Sequence, residues 1–170
     1  MFKVAILTAS DKGFAGQRED ISTQVARELA QEAGYEVACC TLLPDERDQL
    51  AAEMRRICDG GLADLILTTG GTGFSPRDCM PEATMDVAER VAPGIAEAMR
   101  YSSMNITKRA MLSRAISVIR GSTLIINLPG SPKAVRENLT FILPELRHGL
   151  EILTGRAHDC ARTEQKEREL

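Results

Sequence analysis

The sequence predicts an α/β fold, a three-layer sandwich in which a mainly parallel sheet lies between helices on both faces. Short apolar, β-branched runs alternate with segments of helical periodicity, which is typical of this class. The central runs are apolar throughout, as expected of strands buried on both faces. Polar, glycine-containing loops follow several strands, where open α/β sheets bind their ligands. The 170 residues fit one domain.

The first half of the chain predicts three strands and two helices. Residues 2–9 form the first strand, and 10–19 form a polar loop. Asp20 then caps a helix that ends at Gly34 and carries apolar residues on one face. The next strand, helix and strand are predicted at 35–43, 46–58 and 64–69.

The second half predicts three more helices and a pair of strands. A helix starts near Pro81 with Ala83, Val87 and Val91 on its inner side, and another starts at Pro93 and runs to about residue 104. Strands at 115–120 and 122–128 flank a glycine and add a short antiparallel edge element.

A long helix is predicted to complete the domain. It begins at Ser131 or Pro132 and extends to about Leu153, with a bend at Pro144. Residues 1–154 are therefore predicted to form the domain, and 155–170 a charged, flexible tail.

The composition argues against several functional classes. A net charge of −3 and 4% aromatic residues without tryptophan disfavour nucleic-acid binding. The apolar run at the amino terminus is too short for a signal peptide or a membrane span, so we expect a cytoplasmic protein with no membrane partner. Five cysteines without a C-x-x-C pair, and two histidines, match no zinc pattern and predict reduced thiols.

The most informative segment is LILTTGGTGFSPRD, residues 65–78. Gly70, Gly71 and Gly73 allow a sharp turn and a close approach of the backbone to a ligand. The segment matches neither common phosphate-binding glycine motif, so it is either a tight strand-to-helix connection or a ligand loop. The polar side chains on the same turn favour the ligand loop, because they can contact phosphate oxygens or a hydrated cation: Thr69, Thr72, Ser75, Arg77 and Asp78.

A second loop of this kind is NLPGSPK, residues 127–133. Asn127 ends a strand, Pro129 and Gly130 form a turn, and Ser131 opens the long helix. Backbone N–H groups at a helix start, together with Lys133, suit an anion. Ordinary helix capping by Ser131 explains the same pattern and stays open.

Three aspartates follow predicted strand ends and face one crevice if the sheet is parallel. Asp45 and Asp78 could hold Mg²⁺ together with substrate phosphates, and Asp11 lies at the same edge. Asp45 could instead be the N-cap of the helix that follows it. In MLSRA, residues 111–115, Ser113 and Arg114 have no nearby histidine, so Ser113 is interpreted as an anion-binding hydroxyl and not as a nucleophile.

Read in order, these motifs resemble the molybdopterin-binding family of molybdenum cofactor biosynthesis, which includes Mog-type adenylyltransferases and the homologous G domains of plant and animal proteins. The resemblance covers about residues 2–153. It is carried by Ser10-Asp11, LPDE at 43–46, TTGGTGFSPRD at 68–78, PEAT at 81–84, MLSR at 111–114 and NLPGSPKAV at 127–135.

The resemblance implies an α/β homotrimer that binds molybdopterin and Mg²⁺-ATP in one crevice. It implies transfer of AMP to the terminal phosphate of the pterin, release of pyrophosphate, and delivery of the product to a separate molybdenum insertase. An alternative is a paralogue that binds or delivers molybdopterin without chemistry. A domain of the insertase itself fits less well, because that protein is much longer.

The family's roles carry over at matching positions. Asp45 and Asp78 match the catalytic aspartates and are the candidate Mg²⁺ ligands, and Thr72 and Ser113 match positions tied to the pterin. The remaining positions assigned to substrate loops are Ser10, Asp11, Gly70, Gly71, Gly73, Arg114, Asn127, Pro129, Gly130 and Ser131. Cys79-Met80 departs from the usual Val-Thr, so we expect a less firmly held helix start there, because Met80 cannot cap.

Overall fold

The computed structural model describes residues 1–156 and contains a six-stranded sheet with helices on both faces. The strands are β1 (Lys3–Ala9), β2 (Glu36–Leu43), β3 (Leu65–Thr69), β4 (Arg90–Val91), β5 (Ser117–Arg120) and β6 (Thr123–Leu128). The helices are α1 (Asp11–Phe14), α2 (Ile21–Glu32), α3 (Arg47–Asp59), α4 (Met80–Met85), α5 (Pro93–Met104) and α6 (Pro132–Leu153), with a 3₁₀ helix at Lys108–Leu112.

The sheet order is β2-β1-β3-β6-β5-β4, and its first four strands are parallel. Thr8 lies opposite Thr69, which in turn lies opposite Leu128, so the central strands end at the same level. Ala9 lies opposite Leu43 in the same way. The loops that follow β1, β2, β3 and β6 therefore meet along one edge of the sheet.

Each face of the sheet packs against its own helical layer, which confirms the predicted three-layer architecture. Along β1, Val4 and Ile6 join the apolar cluster that includes residues of α2, α5 and α6. Ala5 and Leu7 point the other way and join the cluster formed with α3 and α4. This alternation explains why apolar residues follow one another along the central strands, as in Leu65–Leu67 of β3: both faces are buried.

The predicted helix ends are largely confirmed. The Asp20 carboxylate accepts a hydrogen bond from the Thr23 amide at 3.0 Å, and Gly34, with φ of +82°, follows the end of α2. Ser131 caps α6 by accepting from the Ala134 amide at 3.2 Å. The helix then continues through Pro144 to Leu153.

Two segments differ from the prediction. The polar loop at 10–19 contains the short helix α1. The helix near Pro81 ends at Met85, so the placement of Val91 on its inner side is wrong: Val91 lies in β4, is 55% exposed and pairs with Val118 of β5. Residues 83, 87 and 91 have the spacing of one helical face, which is why the sequence suggested a longer helix. In the structure, residues 90 and 91 pair with β5 and extend the antiparallel edge of the sheet.

The start of the predicted tail contacts the domain. The Arg156 guanidinium lies 5.0 Å from the centre of the Phe2 ring, and its Nη2 lies 3.1 Å from Oδ1 of Asp64. The rest of the tail prediction, residues 157–170, falls outside the described part of the chain. Over residues 1–156, no helix combines the length and the apolar character needed to cross a membrane.

Candidate functional site

The loops at the carboxyl ends of the parallel strands are joined to one another by hydrogen bonds. Thr69, the last residue of β3, donates through Oγ1 to the carbonyl of Pro129 at 2.8 Å. Ser22 of α2 donates to the carbonyl of Gly130 at 2.8 Å. The glycine loop and the NLPGSP loop are therefore fixed against each other, as the parallel topology predicts.

Asp11 and Asp45 form a reciprocal pair. The Asp11 amide donates to Oδ2 of Asp45, and the Asp45 amide donates to Oδ1 of Asp11, both at 3.0 Å. Burial raises the pKa of Asp45, and the nearby carboxylates of Asp11 and Asp78 raise it further. The hydrogen bond from the Asp11 amide lowers this pKa, but the net shift is upward. Asp45 does not cap α3: the N-cap position is Glu46, which makes no side-chain capping bond within residues 1–156. The capping alternative is therefore not supported.

Arg77 connects three of these loops. Its Nε and Nη2 donate to the two carboxylate oxygens of Asp11, each at 3.0 Å, and Nη2 also donates to Oε1 of Glu46 at 2.8 Å. The hydrogen bond from Arg77 holds the pKa of Asp11 below its usual value. Arg77 thus links the loops that follow β1, β2 and β3.

The glycines of the 65–78 segment are required by close contacts. Gly70 has φ of +86°, and a Cβ there would lie 2.2 Å from the Ala9 carbonyl oxygen. A Cβ on Gly71 would lie 3.2 Å from Oδ1 of Asp45, and one on Gly73 would lie 2.8 Å from Oδ2 of Asp78. Gly70 therefore permits the turn, whereas Gly71 and Gly73 make room for the two carboxylates.

Arg114 holds the glycine loop from the other side. Its Nε donates to the Gly73 carbonyl at 2.7 Å, and its Nη2 donates to the Asp78 carbonyl at 2.8 Å. It also forms an ion pair with Glu82. The Asp78 carboxylate itself accepts from the Ser75 amide at 3.0 Å. The backbone on both sides of Asp78 is therefore fixed.

Two cavities open along this edge of the sheet. The first has a volume of about 450 Å³ and lies among the glycine loop, α5, the 3₁₀ helix and the start of α6. The second has a volume of about 420 Å³ and lies among the loops after β1 and β2 and the start of α2. Gly71, Asp78 and Gly130 line both cavities. Two ligands bound side by side would therefore meet at Asp78.

The carboxylates do not form a metal site by themselves. Over the described residues 1–156, no group of three or more His, Cys, Asp or Glu side chains is arranged to hold a metal ion. Asp45 and Asp78 both line the second cavity. Two carboxylates are enough for Mg²⁺ when substrate phosphates and water complete its coordination.

The match to a family model agrees with this geometry. Residues 5–148 match the family described as "Probable molybdopterin binding domain". The chain belongs to this family.

Two relatives and one solved structure match this molybdopterin-binding domain over most of their own length. A molybdopterin adenylyltransferase of Helicobacter pylori strain J99 is 37% identical over 159 residues, which cover 89% of this chain and 88% of the relative. The Escherichia coli K12 molybdopterin adenylyltransferase is 36% identical, covering 81% of this chain and 71% of the relative. The crystal structure of the molybdopterin biosynthesis enzyme MoaB of Thermus thermophilus superposes with a TM-score of 0.87 at 48% identity, covering 91% and 98% of the two chains.

Most residues predicted for the site of this molybdopterin-binding domain line the cavities. Thr72, Gly73, Ser113 and Pro129 line the first, and Gly71, Asp78 and Gly130 line both. The second is also lined by Ser10, Asp45, Gly70 and Ser131. Asp11 and Arg114 line neither, because their side chains bind the neighbouring loops.

Asn127 has different surroundings from the other predicted positions. Its side chain is completely buried, donates to the hydroxyls of Thr68 and Thr84 at 2.9 and 2.8 Å, and accepts from the Ile116 amide at 3.3 Å. It lines neither cavity, and its hydrogen bonds join the end of β3, helix α4 and the residue before β5. These bonds support a structural role for Asn127, and its contact with a substrate stays a prediction.

Sequence reasoning missed part of the first cavity. Arg100 and Arg109 line it, and the Nη1 of Arg100 donates to the Ala115 carbonyl at 2.7 Å. Glu137 and Asn138 of α6 line it as well. Asn138 is only 6% exposed and lies on a helical face with Val135, Leu139 and Ile142. A polar residue in such an apolar stripe is a signal that could have been found in the sequence.

The helix start at Cys79-Met80 lacks a side-chain capping bond in the described residues, as its departure from Val-Thr predicts. Helix α4 begins at Met80 with Cys79 as N-cap. Met80 is completely buried, and its amide donates to the Gly71 carbonyl at 3.1 Å. The helix start is therefore anchored by packing and by the glycine loop.

Proposed function

We propose that this chain transfers AMP from ATP to the terminal phosphate of molybdopterin and releases pyrophosphate, as a step of molybdenum cofactor biosynthesis. The observation that carries the proposal is the shared wall formed by Gly71, Asp78 and Gly130 between the two cavities. One substrate in each cavity would bring the two reacting phosphates together beside Asp78. The names and identities of the relatives support the same reaction.

The lining of the cavities supports an assignment of the two substrates. Thr72 and Ser113, which match positions tied to the pterin, line the first cavity. Its walls combine apolar residues such as Met99 with a few polar groups, which suits a flat heterocycle with a hydrogen-bonding edge. We assign molybdopterin to this cavity and ATP to the second.

The reaction requires alignment and charge neutralisation more than a covalent intermediate. An oxygen of the pterin phosphate bonds to the α-phosphorus of ATP, and the bond from that phosphorus to the bridging oxygen of pyrophosphate breaks. Asp45 and Asp78 would hold the Mg²⁺ that accompanies ATP, and this ion would neutralise the phosphates and the leaving pyrophosphate. The nearby carboxylates of Asp11 and Asp78, which help raise the pKa of Asp45, make a cation favourable there.

The assembly proposed for the chain is a homotrimer. The end of α5 and the 3₁₀ helix expose five large apolar side chains: Tyr101, Met104, Ile106, Met111 and Leu112. Exposed apolar residues grouped in this way mark an interface. The number of subunits, three, comes from the family resemblance. The resemblance also implies a transient contact with a molybdenum insertase, to which the product would be passed.

The proposal is tested with purified protein, molybdopterin and Mg²⁺-ATP, by following adenylylated pterin and pyrophosphate together. The two products should form in equal amounts. α,β-Methylene-ATP is the matched control, because its α–β linkage cannot be cleaved at oxygen and no product should form. A folded protein that binds molybdopterin but forms neither product would contradict the proposal and favour a non-catalytic binding paralogue.

A further inference from the structure

We infer that Arg77 is a positioning residue that acts on Asp45 through Asp11 and so fixes the carboxylate wall of the second cavity. Arg77 lines neither of the two cavities, whereas Asp45 lines the second. Its influence on a ligand must therefore pass through its partners. The catalytic consequence rests on the proposed function, but the structural consequence does not.

The first step of the argument is the orientation of Asp11. Two nitrogens of Arg77 donate to the two oxygens of the Asp11 carboxylate, which fixes the plane of that group. Oδ1 of Asp11 also accepts from the Asp45 amide. Three donors thus determine the position of one exposed carboxylate, and two of them belong to Arg77.

The second step is the transfer of this orientation to Asp45. The Asp11 amide donates to Oδ2 of Asp45, so the loop after β1 holds the Asp45 carboxylate while the Asp11 carboxylate holds the Asp45 backbone. The link from Arg77 to Glu46 adds a second tie to the same loop, one residue further on. Asp45, through Asp11, and Glu46, directly, are therefore both connected to Arg77.

The third step is charge. One guanidinium, that of Arg77, directly contacts the acidic side chains of Asp11 and Glu46. A third carboxylate, that of Asp45, is hydrogen-bonded to the Asp11 amide and is connected to Arg77 through Asp11. Without a cation, repulsion between Asp11 and Asp45 would oppose their reciprocal pairing. A planar guanidinium can bind Asp11 with two donors and Glu46 at the same time, whereas a lysine ammonium cannot reproduce this fork.

The direct test is hydrogen exchange of the Asp11 and Asp45 amides, measured by NMR on the full chain without ligands. In Arg77→Gln, exchange at these two amides should become about tenfold faster, the loss expected when a hydrogen bond is weakened. The exchange rates of these two amides in Arg77→Lys should lie closer to those of Arg77→Gln than to those of the wild type. Unchanged exchange at both amides, or full restoration by lysine, would overturn the inference.

Arg47→Gln is a matched control. Arg47 also forms a two-donor ion pair between two elements, with Asp86, and its side chain is 52% exposed, the same fraction as Arg77. Its loss should leave the Asp11 and Asp45 amides unchanged. Equal acceleration in both variants would mean a general loosening of the structure and would contradict a specific role for Arg77.

Kinetics provide the second readout. Arg77→Gln should lower kcat for AMP transfer by about 10- to 100-fold, as for residues that orient a ligand-binding carboxylate, and should leave the KM for molybdopterin unchanged. If the wild type transfers no AMP while exchange still responds to Arg77→Gln, the proposed function fails and the positioning role stands. If AMP transfer is normal in Arg77→Gln, the positioning role fails and the proposed function stands.

Discussion

The backbone amides of Asp11 and Asp45 each donate a hydrogen bond to the carboxylate of the other residue, both at 3.0 Å. This reciprocal pair joins the ends of two adjacent parallel strands, and it uses one carboxylate oxygen of each residue. The other oxygen of Asp45, Oδ1, lies on the side of Gly71. The pair therefore presents one face of the Asp45 carboxylate toward the cavity in which we place ATP.

Replacing Asp45 by asparagine should separate its structural role from its chemical role. The asparagine side chain keeps an oxygen that can accept from the Asp11 amide but loses the negative charge, so Asp45→Asn should reduce AMP transfer at least about 100-fold. The midpoint of thermal unfolding should change by less than about 4 °C, since no more than about 1 kcal/mol is at stake. Asp48→Asn, at an exposed position in the first turn of α3, is the control and should stay active. An Asp45→Asn variant with normal turnover would remove Asp45 from the mechanism.

Glycine substitutions in the 65–78 segment should have contrasting effects. Gly70→Ala places a Cβ 2.2 Å from a backbone oxygen at a φ of +86°, so it should cost at least about 2 kcal/mol of unfolding free energy. Gly73→Ala places its Cβ 2.8 Å from the Asp78 carboxylate, which can move, so stability should be kept while AMP transfer falls.

Gly94→Ala provides the reference for both variants. Apart from its chain neighbours and the backbone of its own helix, no atom in residues 1–156 lies within 4 Å of a Cβ placed there, so alanine should be neutral or stabilising at this helical position. Denaturant unfolding and AMP-transfer assays on the three variants check these expectations. Equal stability of Gly70→Ala and Gly94→Ala would show that the turn at Gly70 tolerates a side chain.

Asn127→Ala should affect stability and not ligand affinity. It would leave the Thr68 and Thr84 hydroxyls and the Ile116 amide without their partner, and we expect a loss of at least about 2 kcal/mol of unfolding free energy. Denaturant unfolding, with exposed Asn105→Ala as the control, measures this loss. A raised KM for molybdopterin with unchanged stability would instead support the predicted binding role of Asn127.

Much of the fold followed from the sequence because the strands are encoded locally. The apolar run at 65–67 and the turn signals that follow it need no tertiary information, and they placed β3 correctly. Val91 was placed wrongly because its spacing from Ala83 and Val87 fits a helix, and only pairing with Val118 reveals the edge strand. Such long-range pairing leaves no local trace in one sequence.

The site was predictable in its backbone and less so in its side chains. Parallel topology brings every loop after β1, β2, β3 and β6 to one edge, so the convergence of Asp45 and Asp78 could be foreseen. The partners of Arg77 could not be foreseen, because Asp11 lies 66 residues away from it in the chain. The same holds for the contacts of Arg114 with the Gly73 and Asp78 carbonyls, which lie 41 and 36 residues away in the chain.

Three partly buried thiols in residues 1–156 should be unreactive at neutral pH. Burial raises the pKa of Cys39 and Cys79, and it raises the pKa of Cys58 to about 11. Because the thiolate is the reactive form, alkylation by iodoacetamide should be slow at pH 7 and should accelerate as the pH rises above about 9. Site-resolved mass spectrometry, with free glutathione as the reference, measures these rates. A rate at Cys79 that reaches a plateau below about pH 8.5 would indicate a reactive thiolate beside the site.

Charging the exposed apolar surface of the 3₁₀ helix should dissociate the proposed trimer. Met111 is 59% exposed beside Leu112 and the end of α5, so a glutamate there would have to lose its hydration at the interface, at a cost of several kcal/mol if it stays unpaired. Light scattering should give three times the monomer mass for the wild type and the monomer mass for Met111→Glu. Ile152→Glu is the matched control, because Ile152 is 60% exposed near the end of α6, away from this surface, and that variant should remain trimeric. A Met111→Glu variant that keeps the trimer mass would place the interface elsewhere on the chain, and a wild-type monomer would contradict the trimer itself.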